Sequence, residues 1–255
     1  SKDIAEKFAN YFKLNSANQN LLSHDADDVL LSHTYDTSEC VFKKEDISNS
    51  IIELQCGKAA GADGLVPEHI KFAHASLVDH LVVLFNMIMC HGYSPKCFGT
   101  GIIVPILKDK HGDSSVLENY RGITVSSVIS KLFELCFMSK FNVFLCSHDL
   151  QFGFKKGSGC HHAVFVMQTV VDYFRKRGSC VYIAALDASK AFDRLDHRCL
   201  FKKLVRKGLP ECAIAVLKDW YGKLSAVVRW NGCMSASFKI NAGVRQGGVL
   251  SPSLF

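Results

Sequence analysis

The sequence predicts an α/β (α+β) fold in which helices are mixed with strands and part of the sheet is antiparallel. Three patterns indicate this fold: apolar residues at helical spacing, short apolar runs bounded by polar turns, and two alternating runs that flank Asn231-Gly232. Asn-Gly between alternating runs is a strong hairpin signal, because both turn residues take a positive φ. With 255 residues, 48% of them hydrophobic, the chain can bury a sizeable core as one large domain or two.

The predicted elements follow from these patterns in chain order. Residues 1–42 form a linker segment with one short amphipathic helix, in which Ile4, Phe8 and Phe12 recur at helical spacing. Helical spacing also predicts helices over 43–55, 76–90, 126–145, 160–176, 198–208 and 211–221. Strands are predicted over 101–108 and 119–124, on either side of a polar tip, and over 225–230 and 235–240.

Charge and cysteine content narrow the class of protein. The net charge of +6 indicates anionic partners, with nucleic acid the first candidate, although a mildly basic protein without such a partner fits equally well. The eleven cysteines contain no Cys-x-x-Cys pair. This argues against a disulfide framework and a zinc ribbon, and favours a reducing, intracellular compartment. The longest apolar run is too short to span a bilayer, so we expect no membrane partner.

The stretch 181–197 carries the clearest chemical signal. It opens with an apolar, partly β-branched run that is typical of a buried strand, and this run ends at Asp187. A carboxylate at the tip of a buried strand is costly unless a cation neutralises it. Mg²⁺ prefers one or two carboxylates plus substrate phosphates, which fits phosphoryl or nucleotidyl transfer. The alternative is a strand whose acidic residues cap the next helix.

The sequence LDASKAFDRLDH at positions 186–197 resembles the first catalytic motif of reverse transcriptases, in the form carried by non-LTR (LINE-like) retrotransposons. Further stretches resemble boxes of the same family in the same order: KAAGADG at 58–64, PILK at 105–108 with NYR at 119–121, QFGFKKGS at 151–158, and GVRQGGVLSPSLF at 243–255. The resemblance covers most of the chain. It implies a fingers–palm polymerase fold, with a fingers-like part at 43–180, a partial palm at 181–255 and a partly antiparallel palm sheet.

The resemblance implies an RNA-directed DNA polymerase that joins deoxynucleotides to a DNA primer on an RNA template, with two Mg²⁺ ions. It makes Asp187 the catalytic carboxylate and a metal ligand, and the backbone carbonyl of Ala188 a second ligand. The residues implied to bind the incoming nucleotide are Lys108, Arg121, Lys190, Ala191, Phe192 and Gln246, with the Phe192 ring as a steric gate against ribonucleotides. The residues implied to contact the template are Gln151, Lys155, Lys156 and Arg245. Asp193, Asp196 and His197 are predicted to have capping or turn roles.

The family also carries an aromatic-Ala-Asp-Asp box after the Gln-Gly loop, and no Asp-Asp pair follows Asp187 in this sequence. We therefore expect the chain to be truncated before this second carboxylate box and unable to polymerise by itself. Two other interpretations stay open: an inactive remnant that at most binds nucleic acid, and a polymerase like the group II intron maturases. The expected location is intracellular, in the nucleus or in a cytoplasmic ribonucleoprotein.

Overall fold

The computed structural model describes residues 1–16, 38–155 and 157–255 of the chain. The described α-helices are α1 (Lys2–Asn15), α2 (Lys44–Glu53), α3 (Pro67–Lys71), α4 (Ser76–His91), α5 (Lys96–Gly99), α6 (Val128–Lys140), α7 (Asn142–Leu145), α8 (Cys160–Arg175), α9 (His197–Arg206), α10 (Glu211–Gly222) and α11 (Ser251–Leu254). The described strands are β1 (Thr100–Leu107), β2 (Tyr120–Ser126), β3 (Ser225–Trp230), β4 (Cys233–Met234) and β5 (Phe238–Lys239). Short 3₁₀ turns cover Ser38–Cys40, Leu117–Asn119 and Ala191–Arg194.

The strands form one mixed sheet, which confirms the predicted α/β fold with a partly antiparallel sheet. Strand β1 lies at its centre, antiparallel to β2 along its length and parallel to β3. Strand β3 pairs antiparallel with β4 and β5 on its other side. The predicted hairpin turn is present, with φ of 46° at Asn231 and 78° at Gly232. The second arm is split into β4 and β5, because the Ser235 hydroxyl accepts the Val228 N–H (2.9 Å) and takes the place of a backbone acceptor.

The main core lies between the helices beneath this sheet and is centred on Phe133 of α6. Its ring is fully buried and contacts the rings of Phe85, Phe98 and Trp220 at centroid distances of 5.1, 5.9 and 5.8 Å. Edge-on and tilted aromatic pairs of this kind add to the burial of their apolar area. The helix predicted over 126–145 is present as α6 and α7, which meet at Phe141. Its aromatic residues are core residues, as the helical spacing predicted.

A second apolar cluster fixes helix α1 onto the sheet. Phe8 packs against Tyr120 of β2 and Trp230 of β3, with ring centroids 4.9 and 5.0 Å apart. Gly122 of β2 lies directly under Phe12, and a Cβ at this glycine would come within 2.9 Å of that ring. The predicted N-terminal helix is therefore present, and it is packed onto the sheet that carries the site described below.

The structure differs from the prediction of a buried strand before Asp187. Residues 181–188 are irregular, and the side chains of Tyr182 and Leu186 are 93% and 99% exposed. A strand needs the edge of another strand to pair its backbone N–H and C=O groups. None of the strand pairings in the described part of the chain involves this run. The preceding helix α8 has no buried residue either.

The cysteines include one pairing that their spacing did not predict. Cys40 and Cys212 are both buried and joined by a disulfide between the segment before α2 and helix α10, while the other cysteines are free thiols. A single disulfide does not make a disulfide framework. Its two cysteines are 172 positions apart, so no local spacing pattern reveals the pairing. Among the helices that the structure describes, none is both long and apolar enough to cross a membrane.

Candidate functional site

Three segments that are distant in sequence meet around one cavity of about 50 Å³. They are the paired strands β1 and β2, the turn at 190–195 that follows Asp187, and the loop at 243–248 that contains Gln246. The end of helix α1 closes the cavity from the side, with Phe12 and Ser16 in its lining. The motifs at 186–197 and 243–255 thus contribute residues to one cavity, together with residues of β1 and β2.

The loop and the turn are held together by backbone contacts. The Gly243 N–H donates to the Leu195 carbonyl and the Val244 N–H donates to the Phe192 carbonyl, both at 2.8 Å. Gly243 has a φ of 90°, and a Cβ there would lie 2.7 Å from the carbonyl oxygens of Phe192 and Asp193. A side chain at this position would push the two segments apart, so glycine is what permits their close approach.

Gln246 is anchored from two directions. Its backbone carbonyl accepts the N–H of Thr124 in β2 (2.7 Å), and its side-chain Nε2 donates to Asp193 Oδ1 (3.0 Å). Burial raises the pKa of the Asp193 carboxyl, while the Gln246 amide and the nearby Lys190 and Lys108 ammonium groups act in the opposite direction. Because Gln246 and Asp193 both line the cavity, they present an amide and a carboxylate to any ligand there.

Asp193 is a candidate residue to which the sequence patterns gave only a turn role. Nothing local distinguishes it from a capping acid, since its partner Gln246 lies in a loop far along the chain. The capping prediction for Asp196 is confirmed, because its side chain accepts the N–H groups of Arg198 (2.7 Å) and Cys199 (3.3 Å) at the start of α9. The His197 ring lies 2.7 Å (Nε2) from the Gly243 carbonyl oxygen and so also supports the loop.

Lys190, Ala191 and Phe192 lie together in the turn beside the cavity. Lys190 has a left-handed backbone (φ 53°), and its ammonium donates to Asn15 Oδ1 (2.8 Å) and sits 4.8 Å from the Tyr11 ring centroid. Helix α1 therefore holds the Lys190 side chain. Ala191 begins the 3₁₀ turn Ala191–Arg194.

The Phe192 ring packs in an aromatic group next to this turn. It stacks on Phe255 at a centroid distance of 4.7 Å and meets the edge of Phe154 at 5.6 Å. Both partner rings are largely exposed, and the role of Phe192 as a steric gate stays a prediction.

Lys108 and Arg121 extend the site along the fingers-like strands. Lys108 follows β1 directly, and its backbone N–H donates to the Asn119 carbonyl (2.7 Å). Its ammonium donates to the Glu118 carbonyl (2.7 Å) and is close enough to Asp193 to lower that carboxyl's pKa. Arg121 lies opposite Ile106 in the β1–β2 pair and is exposed. Two cationic side chains thus lie at the end of the strand pair where the loop connects β1 to β2.

Asp187 and Ala188 lie on the exposed irregular segment, and no hydrogen bond or ion pair of Asp187 is found with the described residues. The described residues bring together no group of three or more His, Cys, Asp or Glu side chains that is suited to a metal ion. Asp187 offers one carboxylate and Ala188 one carbonyl, whereas Asp193 is engaged with Gln246. These donors are only part of the oxygen ligand set that Mg²⁺ takes, and the rest would have to come from phosphates, water or other residues.

The residues predicted to contact a template have different environments. Gln151 is exposed and donates to the Gly153 carbonyl (3.3 Å), and the Lys155 ammonium lies 3.7 Å from Asp149 Oδ1. Lys156 lies outside the described residues. Arg245 is only 8% exposed, which differs from the prediction of a template contact.

The burial of Arg245 has a clear physical cause. Its guanidinium donates through Nη2 to the Phe98 carbonyl (2.7 Å) and is attracted by the buried carboxylate of Glu134. Glu134 belongs to a helix more than a hundred positions earlier in the chain, so the local motif around Arg245 does not reveal this partner.

Comparison with known proteins places these motifs in one family. The profile of the reverse transcriptase (RNA-dependent DNA polymerase) family matches residues 107–255, more than half of the chain. The chain is 29% identical over 219 residues to the RNA-directed DNA polymerase from mobile element jockey of Drosophila funebris, covering 83% of this chain and 23% of that protein. It is 26% identical over 257 aligned positions to the probable RNA-directed DNA polymerase from transposon X-element of Drosophila melanogaster, covering 99% of this chain and 28% of that protein.

The chain also resembles the Pol polyprotein from type-2 retrotransposable element R2DM of Drosophila melanogaster, with 25% identity over 227 residues, 89% of this chain and 21% of that protein. The chain belongs to the reverse transcriptase family, and the relatives carry the names of non-LTR retrotransposons. This confirms the family that the motifs indicated. The chain spans about a quarter of the length of these relatives. Nucleotidyl transfer in this family generally uses divalent metal ions.

Proposed function

We propose that this chain forms the nucleotide-binding side of an RNA-directed DNA polymerase that copies the RNA of a non-LTR retrotransposon into DNA. The supporting observation is the convergence of β1–β2, the turn after Asp187 and the Gln246 loop around one cavity. The substrates are an RNA template, a DNA primer and deoxynucleoside triphosphates. The protein works in the nucleus or in a cytoplasmic ribonucleoprotein, where its template is found.

The chain's own residues bind and orient the incoming nucleotide. Lys108 and Arg121 contact the triphosphate, Lys as a point charge and Arg as a planar fork. The backbone amides of Lys190 and Ala191 lie under the phosphates. Gln246, held by Asp193, faces the base and sugar. These groups supply proximity and charge neutralisation, which are the main contributions that a protein makes to phosphoryl and nucleotidyl transfer.

The Phe192 ring selects the sugar in this proposal. An aromatic ring packed between Phe154 and Phe255 cannot easily move away, so a ribose 2′-hydroxyl would meet it and a deoxyribose would not. Such a site binds deoxynucleotides in preference to ribonucleotides, as a DNA polymerase requires.

Two Mg²⁺ ions complete the proposed site, with the Asp187 carboxylate and the Ala188 carbonyl among their ligands. When bound, such ions stabilise the charge that develops on the attacking and leaving oxygens. The chain contributes one carboxylate and one carbonyl from an exposed segment, and the triphosphate contributes further oxygens.

The template strand is proposed to run along Gln151, Lys155 and Lys156. The first two are accessible, and lysine contacts with phosphate give affinity without sequence preference. Arg245 is excluded from this set because its guanidinium points into the protein.

The first test is hybrid binding, measured by fluorescence anisotropy with an RNA–DNA duplex over a range of salt concentrations. Affinity should fall steeply with salt, and Lys155→Ala should reduce the slope of log affinity against log salt by about 1. The control is Lys44→Ala, a lysine of α2 that pairs with Asp79 away from the three segments. Salt-independent binding, or an equal effect of Lys155→Ala and Lys44→Ala, would contradict the proposed template contacts.

The second test separates a polymerase site from a remnant that only binds nucleic acid. Binding of a fluorescent deoxynucleoside triphosphate with Mg²⁺ should be lost in Asp187→Asn. Because the Asp187 side chain is exposed, the same variant should leave the free energy of unfolding within about 0.5 kcal/mol of the wild type. Hybrid binding without Mg²⁺-dependent nucleotide binding would favour the remnant.

A further inference from the structure

A second, smaller cavity of about 20 Å³ lies behind the Gln246 loop, among α6, α10 and the start of α11. Its polar lining includes Glu134, Trp220 and Arg245, which are 4%, 3% and 8% exposed. The Tyr221 and Ser251 side chains also reach it. Buried polar groups around a small cavity next to the loop of the candidate site call for an explanation in terms of hydrogen bonds.

The known hydrogen bonds of this group connect the loop to the helical core. The Glu134 carboxylate accepts the Leu250 N–H at its Oε2 (2.7 Å), and Arg245 donates through Nη2 to the Phe98 carbonyl (2.7 Å). Burial raises the pKa of the Glu134 carboxyl, whereas the Leu250 N–H and the Arg245 guanidinium lower it. Burial has the largest effect, so the pKa of Glu134 stays above its ordinary value, and the Leu250 N–H and the Arg245 guanidinium offset only part of that rise.

Two donors in this group have no hydrogen-bond partner in the described part of the chain. Neither Arg245 Nη1 nor Trp220 Nε1 makes a hydrogen bond with the described residues, although both atoms are buried. Buried donors without a partner are rare in native proteins. A water molecule needs a space of about 10–15 Å³ and two to four polar partners. The cavity meets both conditions.

We propose that one ordered water molecule occupies this cavity, accepts hydrogen bonds from Arg245 Nη1 and Trp220 Nε1, and donates one to the Glu134 carboxylate. The water, Glu134 and Arg245 then form a positioning unit that holds the Gln246 loop against the larger cavity. The positioning role rests on the proposed function of Gln246, whereas the water site does not depend on it.

The geometry explains why this unit would set the position of Gln246. Arg245 precedes Gln246 directly and is tied to Phe98, and Leu250 follows four positions later and is tied to Glu134. The loop is thus fixed to the protein interior on both sides of the residue that faces the nucleotide. A displacement of Gln246 requires the breaking of at least one bond to a buried charged group, which is among the stronger hydrogen bonds in proteins.

The water site is tested by a high-resolution crystal structure of the wild-type chain. The expected result is density for one water within about 2.7–3.2 Å of both Arg245 Nη1 and Trp220 Nε1. An empty cavity, or a side-chain arrangement that pairs both donors directly with protein acceptors, would overturn this part of the proposal.

The positioning role is tested by hydrogen exchange with mass spectrometry in the wild type, Glu134→Gln and Glu134→Leu. Glu134→Leu should speed exchange in the 243–255 peptide by about tenfold or more, because the side-chain oxygen that accepts the Leu250 N–H is lost. Glu134→Gln keeps an acceptor and should recover part of the protection. The 225–240 hairpin serves as the internal reference and should not change.

Equal acceleration of exchange in the loop and the hairpin would show general destabilisation of the fold. No acceleration in the loop would show that Glu134 does not stabilise the Gln246 loop. Either result overturns the positioning role. Nucleotide affinity is measured on the same variants. If the wild type binds no nucleotide, the proposed function fails. The exchange pattern and the crystallographic water still test whether Glu134 and Arg245 hold the loop in place.

Discussion

The contact between the Gln246 loop and the turn after Asp187 depends on a glycine, and Gly243→Ala tests it directly. The new Cβ would lie 2.7 Å from two carbonyl oxygens, in a residue whose φ is 90°. An L side chain in a left-handed conformation costs about 1–2 kcal/mol. Relief of the clash would break one or both backbone hydrogen bonds at 2.8 Å between loop and turn, at about 1 kcal/mol each.

The expected loss in the free energy of unfolding is about 3 kcal/mol, after an allowance of about 0.5 kcal/mol for the reduced entropy of the unfolded alanine chain. This corresponds to about a hundredfold change in the unfolding equilibrium constant and is measurable by urea denaturation. The matched control is Gly222→Ala at the end of α10, where a Cβ meets nothing within 4 Å. That variant should be no less stable than the wild type. A Gly243→Ala protein within about 0.5 kcal/mol of the wild type would refute the contact.

Three further predictions concern the same site. Burial raises the pKa of Asp193 in the folded protein, so its contribution to stability is present below the ordinary carboxyl pKa and is lost as pH rises through the folded value. The wild type should therefore lose stability relative to Asp193→Asn as pH rises above the ordinary carboxyl pKa of about 4 in urea titrations, and a constant difference would contradict this. Asn15→Ala and Lys190→Ala should each cost about 1 kcal/mol, and their double mutant should be non-additive; strict additivity would show that the two side chains do not interact. The purified chain alone should not incorporate nucleotides on a primed RNA, and incorporation abolished by Asp187→Ala would overturn that expectation.

The sequence predicted those parts of the fold that depend on residues within one short segment. Helical spacing predicts the positions of α2, α4, α8 and α10, and Asn231-Gly232 predicts the turn between β3 and β4. The strand before Asp187 was predicted from an apolar run, but a run of this kind forms a strand only where a second strand offers its edge. The sequence of the apolar run by itself does not show whether a second strand lies beside it.

The candidate site shows the same limit. The resemblance implies that Gln246 binds the incoming nucleotide, and Gln246 lines the larger cavity. Its role in nucleotide binding stays a prediction. The inward direction of Arg245 depends on Glu134, and the role of Asp193 depends on Gln246, so each is decided by a partner far along the chain. Electrostatic pairs of this kind become visible only when the packed helices are in place.

The exposed segment at 181–188 and the apolar side of α8 have a consequence for the protein in solution. Phe165, Met167 and Val170 of α8 are exposed, as is Ile183 in the irregular segment. Irregular backbone that joins no strand pairing among the described residues, together with exposed apolar side chains, is a surface to which other chains adhere. The isolated chain is therefore expected to self-associate as its concentration rises, with a dependence on protein concentration that light scattering would register.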